Sequence, residues 1–283
     1  MFYLISVTVL WAFSFSLIGV YLAGQVDPYF AVLSRILLAV LLFSPLLLRY
    51  RFSAGLVVPV MAIGAVQLGL MYLFYYQSFL LLSVAEVLVF TIFTPLYITL
   101  LYDVLARRFN PQFLLAAVIA VLAAALMRYN SLSTNYWTGF AVVQGANLCF
   151  AIGQVSYKRL IARHPGVTQY QLFGWFYAGA ACIAIPAWLV LGTSNYPTST
   201  LHWTVILWLG LVASGLGYYG WNKGATQVSS GMLAVMNNAL IPAGLLVNVI
   251  IWQRDTDLVR LSVGCAMIGF SIWLCRRPAG QGG

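Results

Sequence analysis

Between Phe30 and Leu48 the chain carries one charge, the guanidinium of Arg35. Holding such a group at membrane depth costs about 2.5–3.5 kcal/mol on insertion scales, so it needs a partner, a water-filled cavity or a way out to the surface. Its fork matches a carboxylate bidentately and does not deprotonate, which suits it to carboxylate binding. Ala31 and Ala39, one turn to either side on the same helical face, are small enough to let other helices approach it. The competing reading is an arginine that stretches back to outer headgroups, since it lies only ~10 Å from the start of its helix at 1.5 Å per residue.

Glu86 is the other charge inside an apolar run. It can take up a proton or pair with Arg35, which would make it a coupling or gating group. Alternatively, Ser83-Val-Ala-Glu86 is a capping box, in which the carboxylate serves a backbone N–H at the start of a helix. Uncharged polar residues recur at helical spacing. Gln67, Met71, Phe74 and Ser78 share a face beside Tyr72, Tyr75 and Tyr76. Gln144, Asn147 and Gln154 mark a second run, Ser214, Tyr218 and Asn222 beside Trp221 a third, and Asn237 with Asn238 a fourth. Amides are costly in lipid and are expected to face inward. Each can serve as an interhelical hydrogen bond, but together they exceed what packing requires and imply a polar cavity. Trp11, Phe15, Trp175 and Tyr177 are placed to wall it. The expected substrate-binding set is Arg35, Gln67, Tyr72, Asn147, Trp175, Tyr218 and Asn238.

The elements that must carry these residues follow from composition. The chain of 283 residues is 63% hydrophobic and 7% charged, against roughly 45–50% and 25% for soluble domains. It therefore reads as an all-α membrane protein. Apolar runs of spanning length predict ten transmembrane helices, over 2–23, 29–48, 56–77, 84–104, 112–128, 137–157, 168–191, 203–221, 226–251 and 258–275. Asp27 and Pro28 form an N-cap and first position for the second span, and the third and fourth are tightly joined. The first run is longer than a signal-peptide core and has no basic residue before it, so it is read as a retained span.

The net charge of +9 would suggest nucleic acid in a soluble chain. Here the charges alternate between loops. Arg49, Arg51, Arg107, Arg108, Lys158, Arg159, Arg163, Lys223, Arg276 and Arg277 fall on one side, and only Arg128, Arg254 and Arg260 on the other. This predicts cytoplasmic N- and C-termini and no nucleic-acid partner. Trp137, Trp203 and Trp252, near span ends, read as interface anchors. Cys149, Cys182, Cys265 and Cys275 have neither disulfide nor zinc spacing and read as small buried hydrophobes.

The two halves look alike. Ser83–Pro95 aligns with Ser230–Pro242, which sets Asn238 opposite Thr91, and Pro45 and Pro186 hold matching places in spans two and seven. The predicted architecture is two inverted five-helix repeats, 1–129 and 137–276; an odd number of spans forces opposite orientation. Such repeats put a substrate site near the midplane, with alternating access by rocking. No nucleophile elbow, phosphate loop, zinc motif or cofactor fingerprint is present, and His164 and His202 have no metal spacing, so neither catalysis nor a metal nor a cofactor is expected.

Ten spans, an inverted repeat and a short chain resemble the drug/metabolite transporter superfamily, of EamA type, in its branch of carboxylate, amino-acid and amine transporters. Within it, long segments are similar to the biotin transporters of the bacterial inner membrane: Leu10-Trp-Ala-Phe-Ser-Phe-Ser16, Tyr21-Leu-Ala-Gly24, Val26-Asp-Pro-Tyr-Phe-Ala-Val-Leu33, Thr94-Pro-Leu-Tyr-Ile-Thr-Leu100, Tyr157-Lys-Arg-Leu160, Gly224-Ala-Thr-Gln-Val228 and Pro242-Ala-Gly-Leu-Leu-Val-Asn248. Lys223 departs from the uncharged residue expected there. The resemblance implies a single-component carrier in the bacterial cytoplasmic membrane that takes up biotin, with the lipid bilayer as its surroundings. An exporter of amino acids or related metabolites is the alternative; a membrane-embedded enzyme or accessory subunit is a third reading.

Overall fold

A computed structural model describes residues 1–107, 109–127, 136–252 and 258–276. Arg108, Arg128, Arg254 and Arg277 of the charge tally lie outside them. The described residues form helices and no strands: α1 (Phe2–Leu22), α2 (Pro28–Arg49), α3 (Ala54–Leu81), α4 (84–106), α5 (Pro111–Met127), α6 (Tyr136–Arg163), α7 (Gln169–Leu191), α8 (Thr200–Ala225), α9 (230–252) and α10 (Leu258–Arg276). Among the described residues, eight helices are long and apolar enough to cross a membrane; the apolar parts of α5 and α10, Pro111–Ala123 and Ser262–Leu274, are shorter. Large apolar side chains such as Leu41, Val58, Val104, Val190 and Ile250 are strongly exposed, as a lipid-facing surface requires. Against the expectation of buried cysteines, Cys182 is exposed and Cys149 and Cys265 are half-buried, all three as free thiols; the Cys275 side chain lies outside those described.

The start of α2 is fixed from two directions. One Asp27 carboxylate oxygen accepts from the Phe30 N–H at 2.6 Å, with Pro28 at the first helical position. The other accepts from the Thr193 N–H and hydroxyl at 3.0 and 2.9 Å, tying α2 to the α7–α8 connection. From there α2 packs along α7 and the middle of α8. The α3–α7 crossing depends on glycine: a Cβ on Gly64 would stand 1.8 Å from the Phe176 carbonyl oxygen, and one on Gly179 1.9 Å from that of Met61. Small residues of this kind let membrane helices approach backbone to backbone.

Several helices are irregular. Ile18–Leu22 in α1, Ala65–Leu70 in α3 and Leu209–Leu216 in α8 are π-helical, which inserts residues into the 3.6 repeat and often accompanies functional sites. Helix α4 breaks into Val84–Phe90, a 3₁₀ turn Thr91–Phe93 and Thr94–Ala106, just ahead of Pro95. Helix α9 breaks at Ala239, between Ser230–Asn238 and Leu240–Trp252, just ahead of Pro242. Proline cannot donate to the preceding turn and its ring crowds that turn's carbonyl. In α4 the interrupted backbone is met from neighbours: the Gln144 and Asn147 amides of α6 donate to the Phe90 carbonyl at 3.1 and 2.8 Å, and Asn238 of α9 donates to that of Ile92 at 3.1 Å. At the opposite end of α6, the Lys158 ammonium donates to the Ala225 carbonyl at 2.8 Å and to that of Val228, capping the C-terminus of α8.

Candidate substrate site

Arg35 points into the bundle, only 2% exposed. Its Nε donates to the Ser214 hydroxyl at 3.0 Å, Nη1 to Tyr76 at 2.9 Å and Nη2 to Tyr72 at 2.7 Å. The guanidinium carbon lies 4.3 Å from the centre of the Tyr72 ring and 5.6 Å from that of Tyr76, within cation–π range. These contacts rule out the snorkelling alternative. Every partner is a neutral hydroxyl, and the three bonds leave two of the five guanidinium N–H donors over. Among the described residues no carboxylate pairs with Arg35, so its charge is held but not neutralised.

Ser214 is positioned by the π-helical stretch of α8. Carbonyls along that stretch also accept from side chains: Trp11 Nε1 donates to Ala213 at 2.9 Å, and Tyr177 donates to Ser214 at 2.9 Å and Gly215 at 2.5 Å. The hydroxyls of Tyr72 and Ser214 are themselves 2.9 Å apart, which closes a polar knot between α2, α3 and α8.

Arg35 and Tyr72 form one side of a cavity of about 90 Å³, whose other polar lining comes from Ser14, Tyr75, Thr91, Thr94, Asn147 and Asn237. The remaining wall is apolar and largely aromatic, with Trp11, Phe15, Phe150 and Tyr218. Trp11 stacks on Trp221 at 5.0 Å and tilts against Tyr218 at 5.0 Å, while Tyr72 meets Tyr218 edge to face at 5.8 Å. A layer of amides joins the same helices. Gln67 donates to Asn222 at 3.1 Å, Trp221 to Gln154 at 3.0 Å, and Gln154 to Asn237 at 3.5 Å. A mostly apolar, concave site with a few placed polar groups is the usual form of a small-molecule pocket.

Of the residues expected to bind substrate, Arg35, Tyr72, Asn147 and Tyr218 line this cavity, as do Trp11 and Phe15. Asn147 also braces the α4 break. Gln67, Trp175 and Asn238 are not among the lining residues. Gln67 joins the amide layer instead, Trp175 packs against the apolar core, and Asn238 turns to the Ile92 carbonyl while its neighbour Asn237 lines the cavity. Tyr177 likewise supports α8 from behind the wall, and Phe74, on the stripe drawn through α3, is exposed. Glu86 forms the capping box: its carboxylate accepts from the Ser83 N–H and hydroxyl, both at 2.8 Å, and the Glu86 N–H returns a bond to that hydroxyl at 3.3 Å. It does not line the cavity. Of the polar lining residues, Ser14 and Thr94 lie on none of the runs drawn from periodicity, while Asn237 and Tyr75 lie on such runs but outside the expected binding set. Lys223 sits over Tyr3 and Tyr219, at 5.0 and 5.6 Å from their ring centres, far from Arg35 in chemical role and outside the cavity lining.

The same fold occurs in a crystal structure of a protein that is 18% identical, with a TM-score of 0.78 over 98% of this chain and 97% of that one. The sequence pattern of the EamA-like transporter family matches residues 1–129. A "Probable biotin transporter" of Pseudomonas aeruginosa is 51% identical over 97% of this chain and 96% of its own length. The chain belongs to the EamA-like transporter family. The biotin transporters of Salmonella typhimurium and Escherichia coli (strain K12) are each 47% identical over 97% of this chain and 92% of theirs. As an EamA-like protein it is a multi-pass membrane transporter and not an enzyme.

Proposed function

We propose that this chain takes up biotin across the bacterial cytoplasmic membrane. The observation that carries the reading is the uncompensated Arg35 charge on the wall of an aromatic cavity. Biotin has the matching parts: a valerate carboxylate for the two remaining guanidinium N–H groups, and a thioether ring for the Trp11, Phe15 and Tyr218 walls. The names of the relatives support the same substrate. A substrate anion meeting a buried, partly satisfied cation forms charge-assisted bonds, worth about 1.5–3 kcal/mol each.

The cavity volume of about 90 Å³ is below the ~300–1,000 Å³ of most ligand pockets. A fused bicycle with a valerate tail therefore requires the walls to separate. We read that motion as rocking between two inverted five-helix halves, residues 1–129 and 137–276, with both termini in the cytoplasm. Paired proline breaks in α4 and α9 and π-helical segments in α3 and α8 support the internal likeness, and loop basicity supports the orientation.

The test is uptake of labelled biotin into proteoliposomes holding only this protein, with and without a pH gradient. Saturable uptake that is abolished in Arg35→Ala, at equal reconstituted amount, is expected. Biotin-independent efflux of amino acids by the same vesicles would favour the export reading instead.

A further inference from the structure

Several buried hydroxyls in this bundle bond back to their own helix. Thr8 donates to the Leu4 carbonyl at 2.8 Å, Ser78 to Tyr75 at 2.6 Å, Thr99 to Pro95 at 2.9 Å and Ser271 to Met267 at 3.0 Å. This is the default for serine and threonine inside a helix. Ser14 departs from it: its Oγ is buried and has no hydrogen-bond partner. The tyrosines divide in the same way. Tyr72, Tyr76, Tyr157 and Tyr177 have bonded hydroxyls, whereas the buried Tyr75 hydroxyl has none.

Both residues line the cavity, and both are more than nine-tenths buried, at 5% and 8% exposure. The Tyr75 ring is gripped edge to face by Phe15 at 5.2 Å and Phe79 at 4.9 Å, so its hydroxyl is held in place without a bond of its own. Phe15 follows Ser14 in the chain, so one turn of α1 both carries the first hydroxyl and braces the second. Unpaired polar groups are rare in protein interiors, and each calls for a reason. In hydrocarbon surroundings no bulk solvent relieves them.

A hydroxyl can both donate and accept. Arg35 answers the acceptor-only end of a carboxylate; two bare hydroxyls answer a group that presents an acceptor beside donors. A cyclic urea does so, with one carbonyl flanked by two N–H groups. We propose that Ser14 and Tyr75 form the recognition point for the uncharged urea of the substrate, an inference that rests on the biotin reading of this cavity.

The experiment compares Ser14→Ala and Tyr75→Phe with the unaltered protein in proteoliposomes, using labelled biotin competed by two unlabelled probes. One is a thiophane valerate that lacks the urea, the other biotin methyl ester. Each variant is expected to raise the biotin half-saturation concentration about 3–10-fold, the loss of one hydrogen bond. The inhibition constant of the urea-free acid stays unchanged, and that of the ester rises as biotin does. Thermal unfolding without substrate supplies the second readout. Removing an unpaired hydroxyl relieves a desolvation penalty, so the melting temperature stays level or rises. Equal weakening of the urea-free acid, unchanged biotin affinity, or a lowered melting temperature would each overturn the assignment. No biotin uptake by the unaltered protein would remove the biotin reading itself, and this one with it.

Discussion

Helices α2 and α7 lie against each other, and each contains a proline, Pro45 and Pro186. Ten residues before each stands a fully buried side chain, Arg35 in one helix and Phe176 in the other. Phe176 is enclosed by rings, stacked on Phe173 at 4.7 Å and set edge-on to Tyr177 at 5.5 Å. Arg35 is enclosed by hydroxyls. Two similar helical frames thus hold opposite chemistries at corresponding points. The aromatic one is complete as it stands, closed by packing alone. The charged one is only partly satisfied by hydrogen bonds, and the missing counter-charge is what a ligand can bring. The asymmetry suits a cargo with one charged end.

The comparison can be broken most directly at Arg35. Arg35→Ala is expected to weaken biotin half-saturation on the order of 100-fold or more, since removing one partner of a buried charge pair costs about 2–5 kcal/mol. Arg35→Lys keeps the charge but loses the fork, so its uptake should fall between the two. At the matched point, Phe176→Ala should cost about 3–5 kcal/mol of packing. It is expected to appear as a lower melting temperature in detergent, with the preference for acid over methyl ester intact. If Phe176→Ala erased that preference while leaving stability unchanged, the division of labour between the helices would be wrong.

A third variant tests the frame that brings α7 close. Gly179→Leu, where even a Cβ would meet the Met61 carbonyl, should sharply reduce the amount of folded protein in the membrane. Gly55→Leu, with nothing within 4 Å, should not. The smallest effects are reserved for single members of the arginine cage and for the cap. Tyr76→Phe removes one hydrogen bond of the charged guanidinium, of a class worth about 1.5–3 kcal/mol, and should shift half-saturation roughly tenfold. Glu86→Gln preserves the capping box and should leave both uptake and its pH profile unchanged. A collapse of uptake in Glu86→Gln would make this residue a coupling group after all.

Much of this was legible in the chain. The apolar runs, the Asp27–Pro28 helix start, the Ser83–Glu86 box and the isolation of Arg35 are local signals, carried by residue type and spacing. What escaped was the direction in which each polar residue points. The stripe Gln67, Met71, Phe74 and Ser78 assumes 3.6 residues per turn, but Ala65–Leu70 is π-helical and advances differently. The face therefore rotates between Gln67 and Met71, sending Gln67 to Asn222, while Phe74, in the regular helix beyond, is exposed at the edge of the stripe. Asn237 and Asn238 are adjacent and equally polar; only the α9 break and the nearby Ile92 carbonyl decide which one reaches the cavity. Ser14 was hidden for another reason, because a serine in an apolar helix ordinarily bonds to its own turn.

The broken backbone of α4 also has a mechanical meaning. Its carbonyls at Phe90 and Ile92 accept from side chains of α6 and α9, so pulling α4 away from either would break buried side-chain bonds to its backbone. Helix α4 lies in residues 1–129 and α6 and α9 lie in 137–276, so these bonds cross the seam of the proposed rocking and have to be exchanged when the halves move. The contact between α3 and α7 at Gly64 and Gly179 is of another kind, steric and without a directional bond. Surfaces of that sort can slip by small steps, which makes the glycine crossing a natural bearing for the molecule and the α4 break a latch across the same seam.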